Sequence, residues 1–332
     1  MNKKFIFKIL KILIALGLLL FILTKINFEQ LFQIFTTGNP YTTAAACIVF
    51  PAQYILFTLR WKLILQKFAG VRIPFFELLG IMYRGIFVGY FLPGSVGIDV
   101  YRWHALKKYN VTELQISLLF LEKVVAIFVC LFLIGISMLF ITVTDTSILL
   151  YFKHIIVYSS IALGVGILIL FIFQHNFILQ KILQSINDLL YKIINFFCLK
   201  FNITNIINPN FLKQIFKFLI NPKFILLIVL FSLINQLTNV VVSNIVFNGF
   251  SANLKLVENL FANPLLNIIF LLPISFGSIG VREGAYILVF GLFGIVSEMS
   301  LLVSFIYLTA TFLNIILGGI LYIIHKSKHT NG

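Results

Sequence analysis

The sequence predicts an all-α integral membrane protein: about six full transmembrane helices plus two re-entrant helical hairpins entering from opposite faces, with a candidate inverted repeat between them. Three observations predict it. The 332 residues are 61% hydrophobic and 11% charged, against about 25% charged in soluble domains. Apolar runs of about 20 residues recur along the chain. The bases behind the formal net charge of +15 lie between those runs. In a soluble chain that charge would point to nucleic acid; between apolar runs it marks membrane flanks, and no nucleic-acid partner is expected. Residues 1–332 read as a single polytopic membrane domain.

The elements follow in chain order. The first 24 residues carry lysines and then an apolar stretch, without a small-x-small pattern close behind, and read as an uncleaved first helix. Six stretches are long enough to cross a bilayer at about 1.5 Å per residue: residues 5–24, 41–59, 114–143, 155–173, 224–247 and 301–324. Two further apolar regions, 75–90 and 257–296, are interrupted by Pro, Gly and charges. Residues 174–223 are basic, with apolar residues at helical spacing across 177–201, and read as an amphipathic segment on the anionic cytoplasmic leaflet.

Basic residues favour the cytoplasmic flank of each crossing. With the N-terminus inside, that side collects Lys3, Lys4, Lys8, Lys11, Arg60, Lys62, Lys67, Arg72, Arg102, Lys107, Lys108, Lys181, Lys192, Lys200, Lys213, Lys217, Lys223, Lys326 and Lys328. Lys25, Lys153 and Lys255 remain outside, and Arg84, Lys123 and Arg282 fall at membrane depth. A full crossing at 75–90 would put most downstream lysines outside. A hairpin at about residues 75–106, entering from the cytoplasm and returning there, keeps them inside. The second region divides into legs 257–272 and 285–296, each too short to span, so a hairpin at about 257–296 dips in from the outer face. Both termini are then cytoplasmic, in a cell (cytoplasmic) membrane.

The first hairpin carries Leu92-Pro93-Gly94-Ser95-Val96-Gly97-Ile98-Asp99-Val100-Tyr101-Arg102 and the second Leu272-Pro273-Ile274-Ser275-Phe276-Gly277-Ser278-Ile279-Gly280-Val281-Arg282-Glu283. Both read Leu-Pro-x-Ser-x-Gly, followed closely by an acid and an arginine. Opposed broken helices of this kind build midplane substrate sites in transporters. The competing explanation is that any bend in a membrane selects Pro, Gly and Ser.

Charges at membrane depth are costly and tend to pair or line water, which makes them the site candidates. Asp99 and Arg102 sit three apart after Gly97, where free backbone N–H groups would also favour a phosphate; the plain alternative is a helix cap with a solvated ion pair. Arg84, two turns from Glu77, can meet lipid phosphate or snorkel to the interface. Glu122 and Lys123 are adjacent and cannot face each other on a helix, so each needs another partner, for structure or for transport. Arg282 and Glu283 mirror the first acid and arginine. Asn235, Gln236 and Asn239 form a polar patch suited to interhelical hydrogen bonds or to lining a cavity.

Cys47, Cys130 and Cys198 are far apart and the five histidines are scattered, so neither a disulfide framework nor a metal site nor a cofactor is expected. The sequence contains no GxxxxGK[ST] loop, HExxH pair or nucleophile elbow. It reads as transporter-like rather than catalytic.

The Leu-Pro-Gly-x-x-Gly-x-Asp-x-x-Arg run at 92–102, the pair Glu122-Lys123, and Pro-x-Ser-x-Gly-x-x-Gly-x-Arg-Glu at 273–283 together resemble the lysylphosphatidylglycerol synthase transmembrane-domain family. The likeness covers most of the chain. It implies a membrane domain that moves aminoacylated phospholipids between leaflets, or, in stand-alone members, handles other lipids or glycolipids. Glu122-Lys123 stands where the family would have Asp-Arg, which keeps the charges and loses the planar guanidinium. The synthase's soluble aminoacyl-transfer domain has no counterpart here, so transfer of lysine from tRNA is not expected of this chain by itself.

The leading expectation is a lipid translocase. Its candidate substrate-binding residues are Arg84, Pro93, Gly94, Gly97, Asp99, Arg102, Glu122, Lys123, Asn235, Asn239, Pro273, Ser275, Gly277, Gly280, Arg282 and Glu283. Arg102, Arg282 and Arg84 would contact phosphate; Asp99 and Glu283 would orient arginines or meet a cationic head group. Expected partners are membrane lipids, with a separate lipid-modifying enzyme and a second copy of the chain as further options. The rivals are a membrane subunit of a lipid-modifying transferase and a non-catalytic scaffold for one.

Overall fold

The computed structural model describes residues 26–68, 70–91, 96–109, 112–141, 221–271 and 280–330, with the isolated positions Gly17, Thr24, Val157, Tyr158 and Ser185. Nine α-helices are described: α1 (Phe28–Thr37), α2 (Pro40–Phe68), α3 (Phe75–Tyr90), α4 (Val96–Ala105), α5 (Thr112–Phe140), α6 (Pro222–Gly249), α7 (Leu256–Leu271), α8 (Val281–Gly291) and α9 (Ser297–Thr330). The expected spans 5–24 and 155–173 and the amphipathic segment 174–223 fall almost entirely outside the described residues.

Local chemistry sets the helix ends. Asn27 caps α1, its side chain accepting the N–H groups of Glu29 and Gln30 at 3.1 Å. Pro40 and Pro222 open α2 and α6, where a missing N–H costs nothing, and the Asn221 side chain caps α6 by accepting from the Phe224 N–H. Among the described residues, four helices are long and apolar enough to cross a membrane, over Pro40–Phe68, Leu121–Phe140, Lys223–Gly249 and Ser297–His325. They correspond to four of the expected spans. α2 is longer than the expected 41–59, because Arg60 is buried inside the bundle rather than ending the helix at its flank.

The interrupted regions fold as helix–break–helix. α3 covers the expected 75–90, and α7 lies within one residue of the expected first leg. α8 differs from the expected 285–296: it starts at Val281, where Gly280 (φ +80°) turns the chain in, and stops at Gly291, before a turn through Gly294 (φ +75°). The hairpin breaks at 92–95 and 272–279 lie outside the described residues, so Pro93, Gly94, Pro273, Ser275 and Gly277 do as well.

The described chain reads long helix, hairpin, long helix, twice over. Helices of 29, 16, 10 and 29 residues (α2 to α5) are followed by helices of 28, 16, 11 and 34 (α6 to α9). The packing is exchanged between halves: α3 lies against α9 of the second half, and α7 against α5 of the first. One core joins Trp61 and Leu65 late in α2, Ile81 and Ile86 of α3, Leu121 early in α5, Phe224 and Ile228 early in α6, and Ile315 late in α9. A second joins Ala46 early in α2, Val246 and Phe247 late in α6, Leu266 of α7, Tyr286 and Phe290 of α8, and Leu302 and Val303 early in α9. Thus α2 and α6 run antiparallel, and the two hairpins occupy opposite ends of the long-helix bundle. Within the first hairpin the two legs are in close contact: a Cβ on Gly89 would lie 2.7 Å from the Ile98 backbone nitrogen, so glycine there lets α4 lie against α3.

Candidate functional site

Five charged side chains from three elements meet where the first hairpin docks. Asp99 and Arg102 come from α4, Glu122 and Lys123 from α5, and Arg60 from α2. Glu122 Oε2 lies 3.0 Å from Arg60 Nη2 and 3.5 Å from Arg102 Nη1; Asp99 lies 3.3 Å from Arg102 Nη1 and 2.8 Å from Lys123 Nζ. Glu122 and Lys123, adjacent on the helix, thus each find an opposite charge elsewhere. Arg102 also lies over the fully buried Trp61 ring at 4.4 Å, and Arg60 over Phe57 at 5.3 Å. Three cations face two carboxylates, and Arg60 Nε, Arg102 Nε and Nη2, and Glu122 Oε1 remain without hydrogen-bond partners among the described residues. Gly97, five residues before Arg102, is buried, as its packing on Gly89 requires.

At the outer rim of this hairpin Lys108 donates to Glu77 at 2.5 Å. That hydrogen bond holds the Glu77 carboxyl below the ordinary carboxylate range, against a smaller opposing effect of burial. Arg84, on α3, is buried, and its Nε has no partner. It forms no ion pair among the described residues.

The second hairpin is arranged differently. Glu283 is fully buried and its Oε2 accepts the Gly280 N–H at 2.6 Å; Oε1 has no partner among the described residues. Arg282 is half-buried, lies 5.8 Å from the Phe270 ring centroid, and leaves Nη1 without a partner among the described residues. Tyr286, one turn further along α8, packs against the rings of Phe270 and Tyr307.

A model of the lysylphosphatidylglycerol synthase transmembrane region matches residues 8–319, nearly the whole chain. The chain belongs to that family. Comparisons with curated proteins and with solved structures gave no match.

In this member of the lysylphosphatidylglycerol synthase transmembrane-region family, the structure brings Asp99, Arg102, Glu122 and Lys123 together and places Arg282 and Glu283 at a separate tip. Asn235 is half-buried on α6, and Asn239 accepts from Gln53 of α2 at 2.7 Å. The adjoining Gln236 donates to the Cys130 sulfur at 2.6 Å and accepts from Asn267 of α7 at 2.7 Å. This polar patch ties four helices of the family fold together by interhelical hydrogen bonds. Arg60, Trp61 and Gln53 are participants that sequence reasoning missed. A signal existed for the first two: an arginine beside a tryptophan at the end of an apolar run is suited to a buried cation–π contact as well as to an interfacial flank.

Proposed function

We propose that this protein is a flippase-type lipid translocase of the cytoplasmic membrane, with both termini cytoplasmic, moving a phosphate-bearing lipid between leaflets. Aminoacylated and glycosylated phospholipids fall within that class. The observation that supports the reading best is the half-buried Arg282 just after the second hairpin's break, whose Nη1 has no partner among the described residues. Half-buried and without a carboxylate among the described residues, the Arg282 guanidinium is complementary to a phosphate. Arg102 is committed to Asp99, Glu122 and Trp61, so its role in this reading is to fasten the cytoplasmic side rather than to bind the head group first.

Fluorescent phosphatidylglycerol in proteoliposomes, with its outer-leaflet fraction read by a membrane-impermeant quencher, tests this. The wild type should equilibrate the label between leaflets. Arg282→Ala should slow the exchange by about 10–100-fold, the equivalent of one charge-assisted hydrogen bond. Equal rates in both, or no exchange by the wild type, would overturn the reading. The family assignment favours one alternative, a membrane partner that hands lipid to a separate lipid-modifying enzyme. It predicts that lipid modification survives neutralisation of Arg282 and Glu283.

A further inference from the structure

We propose that the open face of α3 over Gly80 is a phosphate site served by Arg84, and that its occupant is the head group of an anionic lipid. The site lies on the first hairpin and does not rest on the reading of Arg282.

Arg84 is 8% exposed, and its Nε is enclosed without a partner among the described residues. It forms no ion pair among them either. The other two buried arginines, Arg60 and Arg102, both reach Glu122. Glu77, two turns before Arg84 on α3, is committed to Lys108 at 2.5 Å. A guanidinium stays charged at any ordinary pH and is costly to bury alone, so an unmatched one favours an anion beside it. Snorkelling would have placed the group in water, and its burial argues against that.

The glycines of α3 show where the anion fits. A Cβ on Gly85 would lie 3.4 Å from the Ile98 carbonyl oxygen, and one on Gly89 2.7 Å from the Ile98 nitrogen, so both glycines serve packing against α4. A Cβ on Gly80 would have one described neighbour within 4 Å, Arg84 Nη2 at 4.0 Å. Half-buried Gly80 thus leaves a space with a guanidinium on its edge. A phosphate oxygen approaches such a nitrogen to about 2.7–2.9 Å, and a residue without a side chain leaves room for it.

The surroundings select a lipid. Gly80 lies five residues, about 7.5 Å, in from the start of α3 at Phe75. Phe76, 81% exposed at that start, gives acyl chains an apolar surface to cover. Exposed Arg72 and Lys107 flank the same end, since Arg72 precedes the Pro74 that opens α3 and Lys107 adjoins the Lys108 bonded to Glu77 in its first turn. Surface bases gather anionic head groups. An anionic lipid offers phosphate to Arg84, negative charge to the rim and acyl chains to Phe76; free phosphate offers the first two.

Titrating the purified full chain with phosphatidylglycerol, and counting bound lipids by native mass spectrometry, tests this. Arg84→Gln should weaken one binding step by about 10–100-fold, as loss of a charge-assisted pair does. Gly80→Leu keeps the arginine, fills the space and should weaken the same step. Arg282→Ala should leave that step unchanged, so this site and the translocase reading fail separately. Phosphatidylglycerol binding unchanged in both Arg84→Gln and Gly80→Leu overturns the site. Inorganic phosphate should compete weakly; displacement of the lipid at equal concentration would mean that the anion alone is recognised and overturns the lipid assignment. In lipid-free detergent Arg84→Gln should melt at or above the wild type, because it removes an unmatched buried charge. A sharply lower melting temperature is the mark of an arginine that holds the fold together, and overturns the proposal.

Discussion

Replacing Glu122 with methionine removes the carboxylate on which two guanidinium groups converge. Its Oε2 is 3.0 Å from Arg60 and 3.5 Å from Arg102, and all three side chains are between 6% and 8% exposed. The network then passes from three cations against two acids, a net charge of +1, to three against one, a net charge of +2, and the remaining Asp99 is already shared with Lys123 at 2.8 Å. Breaking a buried pair on one side costs about 3–5 kcal/mol, because the surviving charge stays desolvated. Arg60→Met should cost a similar amount. The double variant restores a net charge of +1 with two side chains of suitable volume, so it should recover about 2–3 kcal/mol relative to the sum of the single changes. Equilibrium unfolding in detergent can be followed by intrinsic fluorescence. The chain has two tryptophans, Trp61 and Trp103, the first lying under Arg102 and the second under Lys107 at 4.7 Å, so the signal originates at this site. A single-variant cost below about 1 kcal/mol, or a double variant equal to the sum of the singles, would refute the account of Glu122 as the shared counter-ion.

Two further outcomes follow from the same hairpin. Gly89→Ala would push a Cβ to 2.7 Å from the Ile98 nitrogen and 3.0 Å from the Gly97 carbonyl carbon, both backbone, and should destabilise by about 1–3 kcal/mol. Gly80→Ala meets nothing nearer than an Arg84 nitrogen at 4.0 Å and should stabilise by about 0.5–1 kcal/mol; thermal melts of opposite sign are expected, and melts of the same sign would contradict the packing. The lowered Glu77 carboxyl contributes stability that is present above the ordinary glutamate value of about 4.3 and is lost as pH falls through its lowered folded value. With the Lys108 side chain 56% exposed, the gap between wild type and Glu77→Gln should stay within about 1 kcal/mol at neutral pH and close in acid.

The first hairpin leg is legible to the residue because Pro74 and the Phe-Leu-Pro sequence at 91–93 bound an apolar run with glycines at positions 80, 85 and 89. The start of α8 is less legible. An Arg-Glu pair looks like a boundary, yet Gly280 takes a positive φ and the Glu283 carboxylate turns back to its N–H, so the helix begins before the charges. At the site, spacing alone pairs Asp99 with Arg102 and requires Glu122 and Lys123 to look elsewhere. It does not say where, since Arg60 is 62 positions from Glu122 and belongs to a different helix. A base after an apolar run ordinarily faces lipid head groups. Here a carboxylate from α5 draws it inward, and that information exists once the helices are packed.

The twofold arrangement of helices carries an energetic consequence. Were the two halves chemically equal, interchanging their roles would give a second arrangement of the same free energy, and the molecule would populate both equally. They are unequal: one hairpin is anchored by Arg60, Glu122 and Lys123 from the long helices, and the described contacts of the other's charged tip are a backbone amide and an aromatic face. On the translocase reading proposed above, this inequality of charge biases the balance between the two arrangements, so salt and point changes of charge should shift it.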